Sequence, residues 1–459
     1  MLAESPRVCY NTARMSQTAL PAHTHRLPWL PVLLCILLAA WGLGWSAIRI
    51  ATEGVGVLGV NNAVPWGWDI VLFVFWIGLG HAGTLISAIL LLSGKHWRCC
   101  IARHAELMTL CAVCTAAVFP LVHVGRAWML WQMAPLPMPG SVWPELASAL
   151  VWDAAAISSY LLLSILFFCM GIRGEHTQQA QHRRIWAHSC LLMAGILTPL
   201  VVMVHSIVGS DFALTLRWQS VIIPPYFVCG ALLSGMAAVQ LIALCTGCRI
   251  GVIAKMAQLT AALGGAIGLF YGYELLTEPA LWGSTYATML LFNTVLPTAV
   301  LSIRKMRYNR LAVGAISLGI LWGMWQERVH IIIERSVKLT NGAYSPSTVD
   351  MAMVAGSIGL FLALFIFIKS KLPQESLDPR RYLTTPPPAT PRRAALIGCG
   401  TLALTAALWA AATQWADTAG AAGSSPRGVL YYIPALLVIG LLGAGLGVFI
   451  NYIKNTCKS

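Results

Sequence analysis

The sequence predicts an all-α integral membrane protein, with a core of about ten helices followed by two further transmembrane helices. Three observations predict it. The 459 residues are 58% hydrophobic and only 10% charged, where a soluble domain carries about 25% charged residues. The apolar residues gather in runs of about 20, the length that crosses a bilayer core as a helix. Charge also segregates between alternate connections. One set holds 23 Lys and Arg against 5 Asp and Glu; the other holds 7 against 11.

Each run can be placed in order. Residues 1–28 form a short N-terminal segment with Arg7, Arg14 and Arg26. The run 29–48 is long enough to span and no small-residue cleavage site follows, so it reads as an uncleaved anchor. The second run, 67–92, carries Asp69 near its start and His81 near its middle. The third, 105–125, ends in "FPLVHVGRAW", which puts His123 and Arg126 on one face at i and i+3. Runs at 146–171 and 188–208 bring Asp153 and His205, with Asp211 just beyond the second of these. Runs at 220–244, 256–275 and 282–303 follow, with Glu274 at the end of the middle one. The ninth, 311–333, delivers Glu327, Arg328 and His330, and the tenth covers 350–369. Residues 29–370 therefore make one core. A Pro-rich basic linker, 371–393, "KLPQESLDPRRYLTTPPPATPRR", leads to a tail, 394–459, with apolar runs at 394–413 and 430–453.

A net charge of +14 would point to nucleic acid in a soluble protein. Here the excess is confined to one side, so it is a topogenic signal. It places both termini in the cytoplasm, with anionic lipid as partner and no role for nucleic acid. The 13 cysteines are mostly single residues inside spans, where Cys is a small apolar filler. Two CxxC pairs, Cys111 with Cys114 and Cys245 with Cys248, lack the following His of a c-type haem site. No four-Cys run has iron–sulfur spacing.

Topology converts position into depth. His123, Arg126, Asp153, His205, Asp211, Glu274, Glu327, Arg328 and Asp69 all fall in the outer half, and the inner half reads as almost bare. A lone interfacial Arg ordinarily snorkels to water, Glu327 and Arg328 can pair with each other, and Glu274 reads equally as a helix-end carboxylate. Asp153 lies about two turns, or roughly 10 Å, below the surface. An ionised carboxylate there costs a few kcal/mol, so it needs a partner, a cavity or a shifted pKa. Several such groups at one depth on different helices point to a single polar pocket. His81, set among Gly78, Gly80 and Gly83 near the midplane, reads either as a structural histidine or as a proton relay.

A pocket open to lipid and lined by apolar walls with a His and a carboxylate suits a quinol. Its oxidation releases two protons and two electrons, and bases at the ring oxygens take the protons. The electrons need an external iron–sulfur or haem partner. One alternative is a b-type dihaem anchor using His104 with His188 and His123 with His205. Another is a secondary transporter, which would put its site at the midplane.

The segments "VPWGWDIVLFVFWIGLGHAGTLISAILLL", "FPLVHVGRAW", "SALVWDAAAISSYL", "TPLVVMVHSIVGSDFAL", "IIPPYFVCGALLSGMA" and "GMWQERVHII" resemble the NrfD/PsrC-type membrane subunits. Within that group they are most similar to the ActC-type quinol-binding subunits of bacterial alternative complex III. The likeness covers roughly 55–370. It implies two four-helix bundles plus two peripheral helices, in a bacterial inner membrane. It also implies a menaquinol or ubiquinol site near the periplasmic face, with His123 and Asp153 contacting the quinol. Arg126, His205, Asp211, Glu327 and Arg328 would be further members of the pocket, and Asp69, His81 and Glu274 would serve proton transfer. The implied partners are an extrinsic periplasmic iron–sulfur subunit, c-type cytochrome subunits and other membrane subunits, including an NrfD-like paralogue. On this reading the chain itself binds no haem or iron–sulfur cluster. The tail lies outside the likeness, and His330 falls where an apolar residue is expected.

Overall fold

A computed structural model describes residues 28–125, 149–175, 180–215, 223–279, 282–372, 376 and 378–382, without the side chains of 149–155, 175, 180–181, 210–211, 213–215, 224 and 381. The described chain is helical throughout. Its spans are α1 (Trp29–Glu53), α2 (Trp68–Leu92), α3 (Ala102–Val124), α4 (Ala149–Glu175), α5 (Ala180–Thr215), α6 (Ile223–Cys245), α7 (Ile250–Thr277), α8 (Ser284–Ser302), α9 (310–340) and α10 (Thr348–Lys369). Nine of these, all but α9, are continuous apolar helices long enough to cross a membrane. In α9, polar groups lower the hydropathy. The helix Arg310–Val329 passes through a π-helical turn, His330–Glu334, into Arg335–Thr340. The tail and most of the linker lie outside the described residues.

The packing makes two four-helix groups. Helices α2 to α5 pack together, as do α6 to α9, and the seam between them is α2 and α5 against α6, with α2 also touching α9. Helices α1 and α10 pair with each other, and α10 lies against α3 and α2. Burial separates the roles: 94% of the apolar window of α2 is buried against 17% for α1. So α2 is the spine of the core, and α1 turns Leu33, Leu37 and Trp41 outward, where lipid takes the place of protein. Close approach of α1 and α10 depends on small residues. A Cβ on Gly356 would stand 2.9 Å from Gly42 Cα, so only hydrogen fits.

Helix ends are fixed by local chemistry. Ser347 and Asp350 form a reciprocal capping box at the start of α10. The Asn309 side chain accepts from the N–H groups of Leu311 and Ala312 at the start of α9. Gly125, with φ of +69°, stops α3 two residues after His123. The connection before α2 is tied to the one before α10, because Asn61 Nδ2 donates to the Ala343 carbonyl (2.9 Å) and Trp68 N–H donates to Tyr344 Oη (3.0 Å).

At the other end, the first residues of the linker cross the bundle as a strap. Ser376 N–H donates to the Cys99 carbonyl (3.1 Å), and Asp378 meets His96 (3.1 Å). Arg380 donates to the Leu92 carbonyl, and the Tyr382 ring lies 5.9 Å from that of Trp186.

Helix α5 differs from its predicted bounds of 188–208. It runs to Thr215, because "GSDFALT" continues the helix instead of breaking it. Asp211 thus sits within the helix, and His205 lies ten residues, or about 15 Å, from its end.

Candidate functional site

At the outer end, the described residues bring together His123 and Asp69. His123 Nδ1 is 2.8 Å from Asp69 Oδ2, with the histidine side chain 26% exposed and the carboxylate fully buried. Asp69 occupies the first turn of α2, where a carboxylate complements the helix dipole. Its second oxygen accepts from the Gly67 N–H at 3.2 Å. The imidazole is therefore held at Nδ1, leaving Nε2 for an incoming group. The neighbouring Tyr344 hydroxyl donates to Asp350 Oδ2 (3.2 Å). Burial and the Asp350 carboxylate hold the Tyr344 phenol well above its ordinary range, so it remains a donor. Sequence reasoning named His123 and Asp153 as the two quinol contacts; among the described residues the carboxylate on His123 is Asp69. The Asp153 and Asp211 side chains and all of Arg126 lie outside the described residues.

His205 is not at that end. The extra turns of α5 lower it to the level of His81, and the two Nδ1 atoms approach to 2.8 Å. Both rings are buried, and neither Nε2 has a hydrogen-bond partner. Together they line a small cavity with Leu85, Val201 and Val228. Tyr160 packs edge-on to His81, and its hydroxyl donates to the Gly80 carbonyl (3.1 Å). The Thr109 hydroxyl from α3 accepts from Thr84 N–H (2.8 Å) and donates to the Gly80 carbonyl (2.7 Å), bridging one turn of α2 beside His81.

The second four-helix group carries its own buried network. Glu327 accepts from the Tyr271 hydroxyl and from Arg328. Asn293 Nδ2 donates to Tyr271 Oη at 2.8 Å. The neighbours Glu327 and Arg328 do pair, but not at the surface: both are about 98% buried or more. Arg328 reaches into the seam, where a Cβ on Gly78 or Gly230 would stand 3.5 Å from its Nη2. Glu274 is buried too, with Arg335 3.5 Å away, and Arg335 also meets Glu278 at 3.4 Å. The π turn explains His330. The additional residue in the turn rotates it inward, where Nδ1 bonds Glu334 (2.7 Å) and the ring packs on Tyr286.

The expectation of a bare inner half is overturned. Arg98, Arg103, His104 and Glu106 are all buried at the strap end. A short 3₁₀ turn, His96–Cys100, folds Arg98 back under the bundle. Helix α3 starts at Ala102, earlier than the apolar pattern shows, so its first turns carry charge into the core. Arg98 donates to the Ser87 carbonyl, the Ser87 hydroxyl and Glu106 Oε1, each at 3.0 Å. The Ser87 hydroxyl also donates to Glu106 Oε1, at 2.6 Å. The signal available in sequence was Glu106 at the start of the apolar run 105–125, which holds no other acid. None of the CxxC cysteines is in a disulfide, and among the described residues no three His, Cys, Asp or Glu side chains gather as a metal site.

The family model described as polysulphide reductase, NrfD, matches residues 56–340. The chain belongs to the NrfD family. Asp69, His81, His123, His205, Glu274, Glu327 and Arg328 all fall inside the match; the strap falls outside. The chain is similar to a putative dimethyl sulfoxide reductase membrane subunit of Halobacterium salinarum, 25% identical over 54% of this chain and 58% of that protein. A selenate reductase subunit of Mesobacillus selenatarsenatis is 22% identical over 69% and 88%. An Hdr-like menaquinol oxidoreductase integral membrane subunit of Archaeoglobus fulgidus is 24% identical over 44% and 48%. The alignment spans about half the length of the first and third of these. This NrfD-family chain is thus a multi-pass membrane protein.

Proposed function

We propose that this chain is the quinol-binding subunit of a multi-subunit respiratory quinol:acceptor oxidoreductase of alternative complex III type. The observation that carries the reading is the His123–Asp69 pair, a partly exposed imidazole held by a buried carboxylate at one end of the bundle. Such a pair is built to take a proton: His123 Nε2 accepts it from a quinol hydroxyl while Asp69 stabilises the imidazolium at Nδ1. The two electrons leave to an extrinsic periplasmic iron–sulfur subunit and on to c-type cytochromes. Asp153, Arg126 and Asp211 complete the pocket, and both termini face the cytoplasm. The menaquinol oxidoreductase subunit among the relatives supports a quinol as substrate.

Proton movement deeper in the membrane rests on His81 and His205, with Glu274 and Glu327 in the second group. In a neutral pair one Nδ1 donates to the other, so one Nε2 carries a proton and the other is bare. A proton entering at the bare Nε2 and one leaving at the other Nε2 carry one proton through the pair and leave its donor and acceptor roles reversed. The dihaem reading loses support from this geometry. With His81 and His205 nitrogens 2.8 Å apart, His205 turns to α2 and not to His123 on α3.

Fluorescence or calorimetric titration of the purified chain with a soluble quinol analogue tests the proposal. Wild type binds one equivalent, and His123→Ala weakens binding at least tenfold. Equal affinity in both proteins overturns the placement of the site at His123.

A further inference from the structure

The first turn of α2 carries Asp69, yet the residue before it supplies no cap. Gly67 has no side chain to accept from the unpaired N–H groups of that turn. Asp69 itself reaches back to the Gly67 N–H, at 3.2 Å. The Trp68 N–H is satisfied from a distant part of the chain: it donates to Tyr344 Oη at 3.0 Å, in the connection between α9 and α10. The same hydroxyl donates to Asp350 Oδ2 at 3.2 Å, so it accepts on one side and donates on the other. Asp350 is fully buried, and the Ser347 N–H and hydroxyl donate to the same oxygen at 2.8 and 3.0 Å. Gly67 makes this convergence possible. A Cβ there would stand 3.1 Å from Tyr344 Oη and 3.3 Å from Asp69 Oδ1, closer than side-chain carbons ordinarily approach.

We infer that Tyr344, anchored by Asp350, is a positioning residue of the quinol site: it caps the turn that holds Asp69 against His123. The inference rests on the reading of His123 as the quinol base. Contacts run from Asp350 through Tyr344 to the Trp68 N–H, then within one turn to Asp69 and on to His123 Nδ1 at 2.8 Å. A first turn without a cap opens locally, and misplacing a catalytic group by about 1 Å lowers a rate by as much as about 10²-fold. The Tyr344 phenol stays protonated, so its hydroxyl serves both partners at once. The Trp68 ring, edge-on to Trp325 at 5.4 Å, fixes the same turn to α9. Tyr344 and Asp350 both lie beyond residues 56–340, so this support comes from outside the stretch that defines the family. Asn61 and Ala343 join the same two connections without touching the α2 turn. They supply the control.

The experiment measures steady-state turnover of the assembled complex, with reduced menadione and decylubiquinol as the quinol donors. Tyr344→Phe assembles, keeps KM within about twofold and lowers kcat by about tenfold or more. Asp350→Leu, which leaves the hydroxyl without its acceptor, lowers kcat in the same direction. Asn61→Asp keeps the acceptor for the Ala63 and Val64 N–H groups, cuts only the bond to Ala343, and leaves kcat at the wild-type level. In an Asp69→Asn background Tyr344→Phe costs no further turnover, because it acts through that carboxylate. The inference is overturned when Tyr344→Phe keeps the wild-type kcat, when Asn61→Asp lowers kcat as far, or when the losses from Asp69→Asn and Tyr344→Phe add. Loss of turnover in Asp69→Asn but not in Tyr344→Phe leaves the base at His123 and makes Tyr344 a loop tie only. Wild-type turnover in both removes the base reading together with the inference.

Discussion

His81 and His205, from helices separated by more than 100 residues, meet Nδ1 to Nδ1 at 2.8 Å in the core of the first four-helix group. Each ring presents its Nε2 to a buried setting without a protein partner. Replacing His205 alone by Leu strands both nitrogens of His81, which costs about 1–3 kcal/mol. Replacing both restores an apolar core. Thermal unfolding of the single and double variants is expected to show the double variant more stable than His205→Leu. An additive loss would mean that the two rings do not share a proton.

The same pair is expected to matter for protons more than for quinol. In proteoliposomes carrying the assembled complex, His81→Phe keeps the affinity for a quinol analogue within about twofold and lowers the protons moved per electron. An unchanged ratio would return His81 to a structural role.

Asp69 orients His123 and stabilises its charged form. Asp69→Asn is expected to assemble normally and to lose about 10²-fold in quinol-dependent turnover, the scale of a general base deprived of its partner. Turnover near wild type in assembled complex would remove Asp69 from the proton path.

Glu327 and Arg328 form an ion pair inside the protein. Arg328→Met leaves a buried carboxylate without its cation and is expected to destabilise the chain by about 3–5 kcal/mol. Adding Glu327→Leu recovers most of that loss, as a double-mutant cycle would show. Recovery of none would locate the Arg328 contribution elsewhere, in the space that Gly78 and Gly230 leave for it.

Purified alone, the chain is expected to show neither a Soret band nor an iron–sulfur EPR signal. Either signal at one cofactor per chain would favour the cytochrome reading.

Much of this architecture was legible as apolar runs, since span length and side-chain polarity are local properties. Helix ends were less so. "GSDFALT" reads as a break by composition, yet it continues α5 under tertiary packing, and that one extension moved His205 from the outer pocket to His81. The candidate residues were mostly identifiable because ionisable groups stand out against an apolar background. Their pairings were not, because Asp69 and His123 meet through the packing of α2 on α3, which periodicity does not encode. Arg98 was missed for the opposite reason: amid the basic connection it looks solvated, and only the fold-back of His96–Cys100 buries it. His330 escaped because a π turn has no compositional mark.

That turn has a further consequence. A π turn holds one more residue than the α-helical turn it replaces, so α9 is two segments of different angular register joined at His330–Glu334. Deleting one residue there would straighten the ladder and swing Arg335 about 100° around the axis, away from Glu274 and Glu278. Glu327 and Arg328 would stay in place. The two ends of a single helix can therefore diverge independently in descent, with a one-residue insertion or deletion as the unit of change.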